Sequence, residues 1–190
     1  MELPRAHVSP REQVRVWTTA FDAFAAAGEA AAAATAVHDL LAKTADALAA
    51  HFADWVIVDL PAWERPSRSV ASREHEPELA ARLSLQPLTG CPLIASAMEH
   101  GTPLVRAVMT DPAELGILPD GRRVASVLGA GSYAVSPITA GGASLGAITV
   151  IRDRTRRPVT FLELNVLARI ADLAAAAIER LSGSSVARGT

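Results

Sequence analysis

Residues 131–153 carry a clear two-residue alternation on either side of a glycine pair. Because successive side chains of a strand point to opposite faces, both halves of this segment offer apolar groups to both sides. Gly141 and Gly142 stand at the midpoint, where a tight turn needs a positive φ. The pattern predicts a two-stranded hairpin in a sheet that is covered on at least one face. Gly146, inside the second strand, predicts a bend or the close approach of another backbone.

Apolar residues at intervals of three and four predict helices in the first part of the chain. The first helix begins at Ser9 and Pro10, with Glu12 in position for a capping box. It either stops near Gly28 or continues, and a further apolar face over residues 37–52 predicts a second helix. The apolar stripe of the first helix consists of Val14, Trp17, Phe21 and Phe24.

A helix over Phe161–Leu181 follows a second capping box, formed by Thr160 and Glu163. Its apolar positions cover so much of its circumference that the helix needs two partners. The sheet would be one of them. The N-terminal helices, a second subunit or both would be the other.

The first strand is predicted over Trp55–Leu60, where three consecutive apolar residues indicate a central place in the sheet. Residues 68–73 could form the second strand. Six prolines then interrupt residues 74–129, and a long irregular segment of this kind is usually functional or mobile. The elements expected within it are short helices over 77–83, 92–100 and 121–128 and a short strand over 103–108.

The hairpin resembles the C-terminal hairpin of GAF domains, which are small ligand-sensing and dimerising modules of signalling proteins. The residues that carry the resemblance are Pro137-Ile138, the glycine turn and Leu145–Val150. It continues into the last helix and reaches back through His100–Val105 to the first strand, over roughly the last three quarters of the chain. The chain is most similar to the GAF domains of bacterial sensor kinases and stress-response protein phosphatases. Neither kind of output domain is expected within it, so a separate output protein or the dimer itself would carry the signal.

The resemblance implies an α+β fold with a GAF-like central antiparallel sheet. The terminal helices would pack on one face, and an irregular lid of helices and loops would cover the other. A single domain is expected over residues 10–181, between a flexible arm at 1–9 and a tail at 182–190. Its parts would be N-terminal helices at 10–52, sheet and lid at 54–153, and a C-terminal helix at 160–181.

Composition narrows the classes of function. Half of the residues are hydrophobic, 20% are charged and the net charge is −2, which indicates a globular chain with no general attraction to nucleic acid or anionic lipid. No apolar run reaches the roughly 20 residues of a membrane span, and the N-terminus is unlike a secretion signal. We therefore expect a cytoplasmic protein with neither nucleic-acid nor membrane partners.

No metal and no cofactor are expected. The five histidines are scattered, and neither a phosphate-binding loop nor a dinucleotide fingerprint is present. Cys91 is the single cysteine, so it cannot form the internal disulfide of GAF-fold methionine sulfoxide reductases, and Pro92 follows it where bilin-binding GAF domains commonly carry histidine. The charged motif of cyclic-nucleotide-binding GAF domains is missing. One basic patch could meet an anionic ligand or an acidic partner, and it consists of Arg152, Arg154, Arg156 and Arg157.

If sheet and lid enclose a pocket, the positions of residues along the chain predict its lining. A tyrosine hydroxyl and an imidazole in an apolar concavity would orient a small molecule. The alternative for each position is ordinary core packing, with the cysteine a small buried hydrophobe. The ligand-binding candidates are Trp63 at the mouth, Tyr133 and Val135 on the hairpin, and His75, Cys91, Met98 and Val127 on the lid.

Three functions stay open on these patterns. The first is a stand-alone GAF-type sensor of small molecules, or a protein-interaction domain, that signals through terminal-helix packing. The second is an enzyme without a cofactor that rearranges or cyclises an apolar molecule, with His75 or Tyr133 as acid or base. The third is a ligand-free dimerisation module. A homodimer is expected through Val14, Trp17, Phe21, Phe24, Ala171, Ala174 and Ile178, although the N-terminal stripe could equally pack on its own domain.

Overall fold

A computed structural model describes residues 9–62, 66–86 and 91–186, with side chains described as far as residue 182. The predicted arm, except for Ser9, lies outside these residues. The described elements, in chain order, are α1 (Pro10–Ala33), α2 (Val37–His51), β1 (Trp55–Leu60), β2 (Ser67–Ser72), α3 (Pro77–Ser84), α4 (Pro92–His100), β3 (Leu104–Arg106), α5 (Val124–Val127), β4 (Ala130–Ala140), β5 (Ala143–Asp153) and α6 (Phe161–Val186).

The five strands form one sheet in the order β2-β1-β5-β4-β3, and every neighbouring pair is antiparallel. Strand β1 lies between β2 and β5, and all six of its residues are buried. The predicted central position of this strand is therefore confirmed. Together with the six helices, the sheet gives the predicted α+β fold.

Glycines shape the hairpin as the sequence predicts. Gly141 and Gly142 form the turn between β4 and β5, with φ values of 58° and 80°. At Gly146 strand β1 comes so close that a Cβ atom would lie 1.8 Å from the carbonyl oxygen of Asp59. Only a residue without a side chain can occupy that position, and the predicted close approach is confirmed.

Three helices cover one face of the sheet in two layers. Helices α2 and α6 pack directly on the strands, and α1 packs on α2 and α6. The buried face of α1 is made almost entirely of alanine, whose small side chain lets the helix backbones come close together. Its buried residues are Val16, Ala20, Ala23, Ala27 and Ala31.

The first and the last helix are each capped at the N-terminal end, as expected. The amide of Glu12 donates to Ser9 Oγ at 3.2 Å. At α6 the amide of Thr160 donates to a Glu163 carboxylate oxygen, and the amide of Glu163 donates back to Thr160 Oγ1. Gly28 lies inside α1 and does not end it, and α6 continues to Val186, five residues into the predicted tail.

The opposite face of the sheet is covered by the lid, by which we mean α3, α4, α5 and the loops beside them. Side chains from β1, β4 and β5 meet lid side chains there in a second apolar core. Helix α4 has the bounds that the sequence predicts, whereas α5 is only four residues long. The two-faced burial of the hairpin thus follows from helices on one side and the lid on the other.

Candidate functional site

The lid-side core brings five of the predicted ligand-binding residues together. Tyr133 and Val135 have no exposed surface, and Cys91 is buried beside them in the same apolar cluster. Met98 and Val127 are half-buried and pack against it. Trp63 lies outside the described residues.

His75 does not belong to this cluster. It is exposed in the turn that follows β2, with φ at 52°, and lines a separate shallow cavity with Asp46 and Glu76. The turn leaves the side chain exposed to solvent, outside the buried core that the sheet and the lid form. The predicted placement of this imidazole in a sheet–lid pocket is therefore wrong.

The two reactive groups of the cluster are held in their protonated forms. Burial raises the pKa of Tyr133, and the carboxylate of Glu114, which accepts a hydrogen bond from the phenol, raises it further. Burial also raises the pKa of the Cys91 thiol, which donates to the Glu114 carbonyl at 3.4 Å. At neutral pH neither group is a base or a nucleophile.

A buried ion pair lies on the same face of the sheet, between neighbouring positions of β1 and β2. Arg68 donates to both carboxylate oxygens of Asp59, at 2.5 and 3.1 Å, and both side chains are almost completely buried. Burial raises the pKa of Asp59, and the hydrogen bonds from Arg68 oppose that rise. Each residue compensates the charge of the other where water is excluded.

The ion pair also ties the lid to the sheet. One nitrogen of Arg68 donates to the carbonyls of Leu83 and Gln86 and to the Gln86 side-chain oxygen, each at 3.1 Å. The Gln86 amide then donates to the Leu115 carbonyl at 3.0 Å. Our sequence reasoning missed this network. The one sign of it in the sequence was Asp59, a charged residue in the otherwise apolar strand β1. Only the pairing of β1 with β2 reveals that Arg68 is its partner.

Thr149 adds an unusual polar group to this face. Its residue is 1% exposed, and its hydroxyl has no hydrogen-bond partner among the described residues. In the sheet, Thr149 is paired with Ile57 of β1 on one side and with Val135 of β4 on the other. Both of these side chains belong to the lid-side core, so the Thr149 side chain also points toward the lid. A buried hydroxyl without a partner is costly, and a small polar ligand or a water molecule would satisfy it.

The predicted basic patch is divided by the fold. Arg152 is buried, where it donates to the Phe52 carbonyl at 2.6 and 3.0 Å and to Glu163 at 2.7 and 3.2 Å. Arg157 shares Glu163, and Arg156 pairs with Asp54. Arg152 and Arg157 thus bind the first turn of α6 through Glu163. Much of the positive charge of these arginines is therefore compensated within the domain.

The apolar stripe of α1 is exposed. Val14 is 64% exposed, Trp17 60%, Phe21 70% and Phe24 37%. No described part of its own domain therefore covers the stripe, which argues against the alternative that it packs there. Trp17 and Phe21 are large apolar groups on a helix whose inward face is made of alanine.

The interface residues predicted on α6 are in a different position. Ala171, Ala174 and Ile178 are at most 3% exposed. They are buried because α6 lies between the sheet and α1, so both partners that its wide apolar surface requires come from its own chain. The prediction that these three residues contact a second copy is corrected accordingly.

Among the described residues no group of three or more histidine, cysteine or acidic side chains is arranged to hold a metal ion. In the same part of the chain, no helix combines the length and the hydropathy that a membrane crossing requires.

Comparison with known proteins fits this architecture. The sequence profile of the GAF domain matches residues 36–178. The chain belongs to the GAF domain family. The match takes in α2, the whole sheet, the lid and most of α6, whereas α1 precedes it. A comparison with curated proteins gives no match.

Solved GAF structures share the fold. The GAF domain of a phosphoenolpyruvate-protein phosphotransferase from Acinetobacter has a TM-score of 0.63 at 15% identity, covering 86% of this chain and 94% of that one. The GAF-B domain of DevS from Mycobacterium smegmatis has a TM-score of 0.53 at 25% identity, covering 81% and 97%. Free methionine-R-sulfoxide reductase from Neisseria meningitidis, solved with its substrate, gives 0.62 at 15%, covering 87% and 91%.

Proposed function

We propose that this GAF domain is a protein-interaction and signalling module that pairs with a second copy of itself through the apolar stripe of α1. The observation that carries the proposal is the exposure of that stripe. Its four residues follow one another at intervals of three, four and three, which is the spacing of a two-helix seam. A second copy presents the same stripe, so a two-fold axis would bring two apolar surfaces together.

The size of the exposed side chains supports the same proposal. Phe21 and Trp17 leave most of their surface in water, and burying a large apolar side chain stabilises an assembly by roughly 1.5–3 kcal/mol. The stripe is about 15 Å long at 1.5 Å per residue, so it fits a short helix pair better than an extended coiled coil.

The lid-side core favours this module over an enzyme. The imidazole that an acid–base mechanism would use is exposed outside this core, and the raised pKa of the Tyr133 phenol keeps that group from acting as a base. Sensing of a small ligand remains a second proposal, supported by the unpartnered hydroxyl of Thr149. A ligand that bound there would sit beside the Asp59–Arg68 pair and act on the lid.

Native mass spectrometry tests the pairing. We expect the wild-type chain to have the mass of two subunits and Phe21→Glu to have the mass of one, because a buried carboxylate in the seam would be unpaired. Thr102→Glu, which adds the same charge at an exposed position outside α1, should remain a dimer. A monomeric wild type, or a dimeric Phe21→Glu, would contradict the proposal.

A further inference from the structure

Two adjoining cavities lie at the first turns of α1. The basic cavity has a volume of about 510 Å³, and the apolar cavity has a volume of about 770 Å³. Glu12, Val16 and Arg157 line both, so one opens beside the other. None of the described lid-side candidates lines either of them. The basic cavity contains six arginines, namely Arg11, Arg15, Arg73, Arg152, Arg156 and Arg157.

Positive charge in the basic cavity exceeds the negative charge beside it. Three of its arginines are already paired, two with Glu163 and one with Asp54. The other three, Arg11, Arg15 and Arg73, are exposed and form no ion pair with any described residue. Like charges gathered at a concave surface repel one another and attract anions.

The amino end of α1 adds to this field. Ser9, the N-cap of the helix, is part of the lining, so the partial positive charge of the helix terminus faces the cavity. Arginine guanidinium groups bind phosphate and carboxylate groups through paired hydrogen bonds. Both cavities are within the size range of small-molecule sites, roughly 300–1,000 Å³.

The apolar cavity is lined mainly by apolar side chains, although Arg106 and Thr160 also contribute to it. Its walls are the edge strand β3, the loop that leads into α6 and the start of α6 itself, and they expose Val108 and Phe161 to 66% and 76%. An apolar group that left water here would bury these side chains. The remaining apolar lining consists of Val16, Val105, Ala107, Pro158 and Val159.

We propose that the two cavities bind one amphipathic anion, a small molecule whose phosphate or carboxylate head lies among the arginines and whose apolar tail lies in the neighbouring cavity. The head would connect α1 to the β5–α6 loop, because Arg11 and Arg157 belong to these two segments. Glu12 lies at the boundary and opposes the anion. The site needs no second copy of the chain, so it stands independently of the proposed pairing.

Titration calorimetry of the full chain at constant ionic strength tests both halves of the site. Octyl phosphate should bind at least tenfold more tightly than inorganic phosphate, which lacks the tail, and than octanol, which lacks the charge. Octanoate, titrated alongside, distinguishes a carboxylate head from a phosphate head. Equal affinity for octyl phosphate and inorganic phosphate, or for octyl phosphate and octanol, would overturn the proposal.

Charge variants locate the site. The triple variant Arg11→Gln, Arg15→Gln, Arg73→Gln should raise the dissociation constant of octyl phosphate at least tenfold, and Val108→Asp should raise it too. Glu12→Gln should lower it. The matched control, Arg82→Gln, Arg122→Gln, Arg169→Gln, removes three charges that line neither cavity and should leave it unchanged.

The same titration separates this site from self-association. Phe21→Glu should bind octyl phosphate as the wild type does, whether or not it is a dimer. Vesicles of phosphatidylcholine with phosphatidate that bind the wild type but not the triple arginine variant would identify a bilayer lipid as the source of the same chemistry. Wild-type affinity in the triple arginine variant would overturn the proposal, because the exposed arginines would then play no part.

Discussion

At the scale of single residues, Glu163 is a fully buried carboxylate in the first turn of α6. It caps α6 through Thr160 and accepts hydrogen bonds from Arg152 and Arg157. Burial by itself would raise the pKa of Glu163, but the hydrogen bonds from Arg157 and Arg152 outweigh it and lower the pKa from 4.5 to about 2. Arg152 also donates to the Phe52 carbonyl, so through Arg152 this carboxylate connects the start of α6 with the end of β5 and with the α2–β1 connection.

Replacing Glu163 by Gln should lower the free energy of unfolding at pH 7 by about 3 kcal/mol. The reason is that a carboxylate whose pKa is lowered by folding stabilises the folded state at every pH above the pKa that it has in the unfolded chain. In the wild type this stabilisation is lost as the pH falls from about 4.5 towards 2, so the difference between variant and wild type should shrink over that range. Urea titrations at pH 7, 4 and 3 measure it. Glu179→Gln, exposed on the same helix, should match the wild type throughout.

A second residue-scale prediction concerns Gly146. A methyl group there would lie 1.8 Å from the Asp59 carbonyl oxygen, and backbone cannot yield as a flexible side chain does. We expect Gly146→Ala to destabilise the fold by about 3 kcal/mol or more, through separation of β1 from β5. Thermal unfolding measures the loss, and an unchanged melting temperature would contradict the observed approach of the strands.

At the scale of elements, α1 differs from the other helices in what its two apolar faces do. Alanines such as Ala23 and Ala27 pack inward, whereas Trp17 and Phe21 stay in water. The helix continues through Gly28, although glycine is the poorest helix former after proline. The element is therefore held by its tertiary contacts rather than by its local sequence at that point.

Replacing Gly28 by Ala should stabilise the chain by about 1 kcal/mol, because the helical backbone there accepts a side chain and loses less conformational freedom on folding. The new methyl group would lie 4.0 Å from Leu173 Cδ1, an ordinary contact distance. Thermal and urea unfolding give the change. Gly101→Ala, whose φ is +63°, is the matched control and should be destabilised instead.

At the scale of the whole molecule, the domain consists of two apolar cores separated by one sheet, and Arg68 fastens the lid to that sheet. Its partners are Asp59 on β1 and the carbonyls at the end of α3. The hydrogen bonds from Arg68 to these carbonyls form only while sheet and lid stay together, whereas the pair with Asp59 lies within the sheet. Movement of the lid would therefore require this network to open.

Arg68→Met should lower the stability by about 3–5 kcal/mol, because it leaves the buried carboxylate of Asp59 without its counter-charge. Amide hydrogen exchange should then accelerate in residues 77–86, where the lid loses its hydrogen bonds to the sheet. The surface variant Arg82→Met, on α3 and about two-fifths exposed, should alter neither measurement strongly. Combining Arg68→Met with Asp59→Leu should restore part of the stability, since no unpaired charge remains.

The sequence by itself determined the local structure of this protein. Alternation on either side of the Gly141–Gly142 pair predicted the β4–β5 hairpin, and capping residues such as Ser9 and Thr160 marked where α1 and α6 begin. These features follow from contacts between residues that are neighbours in the chain, so they are visible in spacing alone. The GAF assignment depended on the same local pattern and is confirmed by the family match.

Only the tertiary structure decided which of two apolar faces α1 buries, because spacing shows that a stripe exists but not which neighbour covers it. The same is true of Asp59 and Arg68, whose pairing depends on the register of two strands. His75 lies outside the predicted pocket for a similar reason, because the direction of a turn depends on the packing of the chain that follows it. Contacts between distant segments are fixed by packing, and packing is a property of the whole fold.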